Sequence, residues 1–254
     1  MKKTLLLTLL AGELLYAGEV EVIVATKSMD YLETVAGAPF SREESNLFGS
    51  LPGIGAAANF TLLTDDYGNI EAGGSAVWYR GSTDYTGSYQ GGKYGSLVGT
   101  SSASILESEL HLSSTQYLDK STFFQTRLLA GYTSWERGLS STQTEIYRWP
   151  WVGADIALGG KQAKVLEGSL RAGFEYALNP TMKWREMEYT FDLGGVTLWY
   201  FEVPMKIYEG PYYAGITLRH ETQRIRASNT INGYSEPSST TKTTTISLQL
   251  GYEF

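Results

Sequence analysis

The chain has 254 residues, of which 42% are hydrophobic, and it carries a formal net charge of −7. This length suits a single all-β domain, and the acidic balance argues against a nucleic-acid partner, which usually requires a basic surface. There is no cysteine, which excludes disulfides, thiolate metal sites and cysteine nucleophiles.

The N-terminus has the pattern of a secretory signal peptide. Lys2 and Lys3 form a basic segment, an apolar run follows, and Ala17 is a small residue at the expected cleavage position. The alternative, a short anchor helix, would need about 20 apolar residues, more than this run offers. We therefore predict a signal peptide over residues 1–17 and one domain over residues 18–254.

After this segment, apolar and polar residues alternate with the two-residue period of β-strands that face lipid on one side. Ten stretches show the pattern, and eight or twelve strands are the alternatives because the first strand and the stretch 189–207 have no clear limits. The apolar faces run over residues 20–24, 54–62, 70–78, 106–112, 124–132, 152–158, 166–176, 199–207, 212–218 and 246–254.

Short and long connections alternate between these strands. Short turns are expected at residues 65–69, 118–121, 159–162 and 209–211, and long polar loops near residues 32–52, 81–102, 137–146, 177–188 and 227–242. A barrel with both chain ends in the periplasm has short turns on that side and long loops outside. The sequence predicts an all-β fold, a transmembrane antiparallel up-and-down β-barrel of ten strands, closed by pairing the first strand with the last.

The last strand carries a candidate assembly signal. Its residues are Ile246, Leu248, Leu250, Tyr252 and Phe254. The Tyr-x-Phe ending is similar to the C-terminal signal of outer-membrane proteins. With the signal peptide and the strand alternation, the chain resembles the small outer-membrane β-barrels of Gram-negative bacteria, a class that includes OmpA-like, OmpX-like and opacity-type proteins.

This resemblance implies a location and an assembly route. The expected location is the outer membrane of a Gram-negative bacterium, and the expected partners are its lipid, its lipopolysaccharide and the barrel-assembly machinery. The resemblance implies no activity, and we predict no cofactor.

The polar strand faces predict the content of the barrel interior, where carboxylates outnumber basic groups. Buried charges must find partners or shift their pKa. Either a packed ion-pair network fills the interior, or a narrow pore that favours cations runs through it. The candidate lumen network consists of Glu107, Glu109, His111, Arg127, Asp155, Glu167, Arg171, Glu202, Arg219 and Glu221.

Glu107, Glu109 and His111 share one strand face, as the groups of a metal or acid–base site would. No second histidine has the parity to complete such a site. We therefore assign these three residues to the interior network and predict no catalytic, metal or cofactor site.

His220 lies on the lipid-facing side of the ninth strand, and Arg224 and Arg226 follow it. Arginine binds phosphate through two parallel hydrogen bonds. We hypothesise that these three residues contact the phosphates of lipopolysaccharide, the alternative being solvated loop charge.

Tryptophan side chains cluster near the predicted outer strand ends, at Trp78, Trp135, Trp149 and Trp151. Amphipathic rings prefer the level of the lipid headgroups, so we expect these residues in the interface belt. Stacking on carbohydrate is the alternative role.

Three classes of function remain open from the sequence. The first is a structural or surface-interaction protein that acts through its extracellular loops, and the second is a narrow pore for small solutes or cations. The third is an outer-membrane enzyme acting on lipid or peptide. The chain lacks the His-x-Ser pattern of lipid A deacylases because residue 222 is threonine, and we predict that it is not an enzyme.

Overall fold

The computed structural model describes residues 18–45, 51–88, 92–162 and 165–254, and the predicted signal peptide lies outside them. In the described part of the chain, no helix is long and apolar enough to cross a membrane. The strands form one antiparallel sheet. They are β1 (Gly18–Val35), β2 (Ala38–Glu44), β3 (Leu51–Thr64), β4 (Gly68–Gly87), β5 (Leu97–Tyr117), β6 (Thr122–Ser140), β7 (Gln143–Gln162), β8 (Leu166–Ala177), β9 (Thr181–Trp184), β10 (Tyr189–Asp192), β11 (Val196–Glu209), β12 (Tyr212–Ile225) and β13 (Ser238–Glu253).

Ten of these strands close into a ring. Its order is β1, β3, β4, β5, β6, β7, β8, β11, β12 and β13, and each strand is antiparallel to the next. The seam pairs β13 with β1, from Glu19 beside Glu253 to Thr34 beside Ser238. Closure satisfies the backbone groups that an open edge would leave unpaired in lipid. The prediction of a ten-stranded antiparallel barrel is confirmed.

The strands are much longer than predicted. β5 has 21 residues and β7 has 20, whereas about 9–11 tilted residues cross a bilayer. The prediction of long loops near residues 32–52 and 137–146 was wrong over most of their length. β1 continues to Val35 and pairs with β2, while β6 and β7 meet at a two-residue turn. These segments are polar because their outer face meets water. A polar composition also predicts a loop, so the sequence does not distinguish the two.

The outer surface divides the barrel into an apolar belt and a polar upper half. On β1, Val22 and Val24 are 56% and 57% exposed, and the next outward residue is Thr26. On β13 the same change occurs between Ile246 and Thr244. Large apolar side chains exposed this way are suited to lipid, so the belt marks the membrane layer. The upper half extends beyond it.

The short turns lie at the belt end of the barrel and follow Asx-turn chemistry. Asp65 Oδ1 accepts the backbone N–H groups of Tyr67 at 2.8 Å and Gly68 at 2.9 Å. Asp119 Oδ1 does the same for Ser121 at 2.7 Å and Thr122 at 2.8 Å. A side chain that satisfies two turn donors permits such short connections.

Three of the predicted belt tryptophans face inward instead. Trp135, Trp149 and Trp151 are buried in the core of the barrel, whereas Trp78 faces outward and is 47% exposed. The prediction of an interface position was wrong for these three residues. It rested on their location near the strand ends and not on the face of the strand that they occupy. Their odd-numbered parity on β6 and β7 places them on the inner face.

Candidate functional site in the barrel interior

The structure brings the predicted lumen residues together on the inner wall at the level of the belt. Arg127 Nη2 donates to Asp155 Oδ2 at 2.6 Å, and Arg127 Nη1 lies 3.3 Å from Glu109 Oε1. His111 Nδ1 is 3.5 Å from the same Glu109 oxygen. Arg171 Nε lies 3.8 Å from Asp155 Oδ1. These charges therefore lie side by side on β5, β6, β7 and β8.

Arg219 on β12 joins carboxylates of β8, of β11 and of its own strand. It donates to Glu221 at 2.5 Å and to Glu175 at 2.8 Å, and its Nη1 is 3.6 Å from Glu202. Its guanidinium carbon stacks 3.8 Å from the centre of the Tyr200 ring. The Arg219 guanidinium thus interacts with three carboxylates. This arrangement depends on every partner staying in place.

Lysine side chains form further ion pairs in this part of the interior. Buried Lys27 contacts Glu107 by a short hydrogen bond and lies 3.7 Å from Glu221. Lys161 pairs with Glu167 at 3.1 Å, close to the short-turn end. The sequence pattern does not indicate Lys27, because this residue follows the apolar stretch that marks the first strand.

A second charged network, which the sequence did not predict, lies in the half above the belt. Arg137 is at its centre and is 0% exposed. Its Nη2 and Nε donate to Glu43 Oε1 at 2.6 and 2.8 Å. Its Nη1 donates to Glu33 Oε1 and to Glu145 Oε2, both at 2.9 Å.

Tyrosines and a fourth carboxylate surround this guanidinium. Nη1 also donates to the hydroxyls of Tyr31 at 3.1 Å and Tyr147 at 3.0 Å. The Tyr147 hydroxyl in turn donates to Glu236. The Arg137 network therefore consists of Arg137, Tyr31, Glu33, Glu43, Glu145, Tyr147 and Glu236.

The Arg137 network has four buried carboxylates and one guanidinium. Burial raises the pKa of Glu236 well above its ordinary value, and the carboxylates of Glu145 and Glu33 raise it further. Burial also raises the pKa of Glu145, against the effect of Arg137. Burial would raise the pKa of Glu33 as well, but Arg137 and the Ser41 hydroxyl lower it instead. Burial therefore shifts Glu236 and Glu145 toward their protonated forms, whereas Arg137 shifts Glu33 toward its ionised form.

Glu33, Glu145 and Glu236 offer oxygens within 4.8 Å of one another, close enough to share a metal ion. Arg137 Nη1 already donates to two of these carboxylates. The guanidinium supplies the positive charge that a metal would bring.

The sequence pattern does not indicate this network, because its carboxylates fall in segments predicted as long loops. The signal that could have found it is the strand alternation itself. On β1 the inward positions continue through Met29, Tyr31 and Glu33, all buried, well beyond the apolar outer face that was used to recognise the strand.

The interior contains a cavity, lined by the predicted lumen residues, and a packed core above it. The cavity, of about 670 Å³, reaches from Gly18 and Phe254 at the short-turn end to Tyr79 and Trp149. Above it, the Arg137 network and a hydrophobic core occupy the barrel. The most deeply buried core side chains include Tyr31, Leu51, Tyr147, Phe191, Val196, Tyr200 and Ile225.

The residues proposed to contact lipopolysaccharide lie on the outer surface just above the belt. His220, Arg224 and Arg226 are all exposed. The last apolar outward residue of β12 is Leu218, directly below His220. On β13, outward Lys242 lies opposite Thr222, between the first two of these basic residues. The structure therefore adds Lys242 to the basic group, which the sequence did not indicate.

The predicted assembly-signal residues form the end of the seam strand. Ile246, Leu248, Leu250 and Tyr252 face outward on β13. Phe254 exchanges two backbone hydrogen bonds with Gly18, at 2.9 and 3.0 Å, and its ring centre lies 6.4 Å from that of Phe60.

No protein-family model and no curated protein sequence matches the chain. Among solved structures it is similar to the outer membrane protease OmpT from Escherichia coli, with a TM-score of 0.56 and 10% identity over 94% of this chain and 97% of OmpT. It also matches the translocator domain of autotransporter NalP from Neisseria meningitidis, with a TM-score of 0.42 and 10% identity over 100% of this chain and 95% of that domain. Ail, the attachment invasion locus protein of Yersinia pestis, matches with a TM-score of 0.37 and 10% identity over 93% of this chain and 99% of Ail.

At this identity the OmpT match shows the fold alone. That fold, the closed ring and the exposed apolar belt define an integral β-barrel of the Gram-negative outer-membrane type. The activity of OmpT does not follow from it.

Proposed function

We propose that the protein is a closed outer-membrane barrel whose role is structural or lies in surface interaction through its extracellular half. The observation that carries this proposal is the Arg137 network, whose guanidinium is 0% exposed at the centre of the upper barrel. Removing one partner from such a network leaves a buried charge unpaired, which is strongly destabilising. The network therefore opposes opening of a path through the barrel. The proposal gives the chain no catalytic role.

The extracellular end also carries an ordered aromatic surface, which supports a role in interaction. Trp184 packs edge-on against Tyr234, with ring centres 5.7 Å apart. Asn232 Nδ2 donates to the Tyr189 hydroxyl at 2.9 Å. These contacts join the β9–β10 hairpin to the connection between β12 and β13. Aromatic side chains that combine an apolar face with a polar group are typical of recognition surfaces.

A narrow pore is the second candidate function, and the acid-lined cavity favours it. Ten carboxylates and six basic side chains line this space, a surplus that would favour cations. For conduction, the packed upper half would have to open. The two candidate functions therefore differ in whether the barrel conducts ions.

The test is the single-channel conductance of the refolded protein in a planar bilayer under a potassium chloride gradient. We expect no steady openings, with insertion verified by flotation with lipid vesicles and a known porin added last as a positive control. Steady openings with a cation-selective reversal potential would contradict the closed barrel. In that case Glu107→Lys with Glu109→Lys should shift the reversal potential, because both side chains line the cavity.

We also propose that the exposed basic group on β12 binds phosphates of lipopolysaccharide. Replacing Arg224 and Arg226 by glutamine should lower the lipopolysaccharide that copurifies with the barrel after a high-salt detergent wash, because charge-assisted hydrogen bonds to phosphate are lost. Lys183→Gln is the control, since Lys183 is exposed on β9 in the upper half. Equal retention by the double variant and the control would contradict the proposal.

A further inference from the structure

The cavity contains a carboxylate that the ion-pair networks leave out. Eight of its ten carboxylates form an ion pair with a lysine or arginine. Among the described residues, Glu71 and Glu253 do not. Glu253 is exposed at the short-turn end, whereas Glu71 is partly buried on the inner face of β4.

Three oxygen atoms on the strands around Glu71 have no hydrogen-bond partner in the described structure. Ser113 lies directly opposite Glu71 on β5 and is 2% exposed. Its hydroxyl has no hydrogen-bond partner in the described structure, and neither has Oδ1 of Asn59 or of Asn69. Buried polar atoms are normally hydrogen-bonded, and one left without a partner is destabilising.

The geometry of the neighbouring strands holds these oxygens in one patch. Asn69 Nδ2 donates to Glu71 Oε1 at 2.9 Å, so its oxygen is left free. Asn59 Nδ2 likewise donates to Glu19 Oε1 at 2.5 Å, so the oxygen of Asn59 is also left free. A Cβ atom on Gly73 would lie 1.9 Å from Asn59 Oδ1, so only glycine leaves room for this amide.

The group that is missing is a donor that carries positive charge. The patch offers a carboxylate and three further oxygens, and an ammonium group offers three N–H donors and no acceptor. The whole cavity has four more carboxylates than basic side chains. At about 670 Å³ it is also far larger than a single ion requires.

We propose that the barrel interior is a binding site for an elongated alkylammonium compound of the diamine or polyamine class. One ammonium group binds at Glu71 and donates hydrogen bonds to oxygens of Ser113, Asn59 and Asn69. The remainder of the ligand extends along the acidic wall of the cavity. The ligand enters from the short-turn end, where the cavity reaches Gly18 and Phe254. This inference goes beyond the proposed function and does not depend on whether the barrel conducts ions.

The test is calorimetric titration of the refolded protein in detergent micelles with putrescine and with spermidine at low ionic strength. Glu71→Gln should weaken binding about tenfold or more, as expected when charge-assisted hydrogen bonds are lost. Glu209→Gln is the matched control, because it removes an exposed carboxylate at the short-turn end that does not line the cavity, and it should leave the affinity nearly unchanged.

Ser113→Ala provides a second variant that changes no charge and hardly any volume. It should weaken binding by a smaller factor than Glu71→Gln, and heat-modifiable migration verifies that each variant is folded. Three outcomes would overturn the proposal. They are no binding of either amine to the wild-type protein, equal losses for Glu71→Gln and Glu209→Gln, and displacement of the amine by magnesium ions at equal concentration, which would indicate a metal site.

Discussion

At the scale of single residues, Arg137 and Glu236 illustrate how burial governs charge in this barrel. Arg137 has its charge shared by the carboxylates of Glu43, Glu33 and Glu145. Glu236 has no such direct contact and receives hydrogen bonds from tyrosine hydroxyls. Because an uncompensated buried charge is costly, burial raises the pKa of the Glu236 carboxyl, which has no direct contact with the guanidinium.

This difference predicts the pH dependence of stability. The pKa of Glu236 is raised in the folded state, so its contribution to stability is present at acidic pH and is lost as the pH rises through the folded-state pKa. Glu236→Gln cannot ionise, so it should lose less stability than the wild type as the pH rises above the ordinary carboxyl range. The measurement is the midpoint of chemical unfolding in micelles at each pH.

The control for this prediction is Glu136→Gln, which removes an exposed carboxylate in the same half of the barrel. It should follow the pH dependence of the wild type. If Glu236→Gln showed the same pH dependence as both, the proton would have to reside elsewhere in the network.

At the scale of elements, the seam between β1 and β13 determines whether the barrel closes. The two strands pair from Glu19 beside Glu253 to Thr34 beside Ser238, so the seam runs through both the apolar belt and the upper half. Its belt end is completed by the backbone hydrogen bonds between Gly18 and Phe254. In lipid, an unpaired strand end has no water to satisfy its polar groups.

Removal of Phe254 is therefore expected to reduce assembly. The deletion removes the last two backbone hydrogen bonds of the seam and the contact with the Phe60 ring. We expect a smaller heat-modifiable fraction in outer-membrane preparations at equal expression. Phe254→Tyr keeps the ring and the backbone bonds and is the control, and normal assembly of the deletion variant would contradict the prediction.

At the scale of the whole molecule, the barrel has a membrane half with an apolar outer face and an upper half with a polar one. The upper half contains the Arg137 network and the aromatic surface around Trp184 and Tyr234. The lower half contains the cavity, which reaches the short-turn end. This arrangement predicts that the interior is approached from the periplasm and the aromatic surface from outside the cell.

The orientation can be tested with epitope insertions. A tag between Asn232 and Gly233, which both have positive φ angles in an exposed turn, should be labelled by antibody on intact cells. The matched insertion between Asp66 and Tyr67, in the short turn after β3, should be labelled only after the outer membrane is permeabilised. Labelling with the reverse pattern would contradict the orientation.

The sequence predicts a strand where the surroundings of the barrel impose a residue pattern on it. Lipid outside the barrel imposes an apolar residue at every second position, so strand number, parity and the seam can be read from a single chain. Above the membrane the outer face meets water, and β1 beyond Thr26 therefore looks like loop in sequence although it continues as strand to Val35.

By itself, then, the sequence determined the barrel, its ten strands and the inward direction of residues such as Arg127 and Glu109, because alternation is a local property. Only the tertiary structure decided which inward residues meet. Arg137 contacts Glu33 and Glu43 across separations of 104 and 94 residues, and Glu71 is left without an ion pair. These contacts depend on the register of all ten strands around the closed ring, and no local pattern encodes that register.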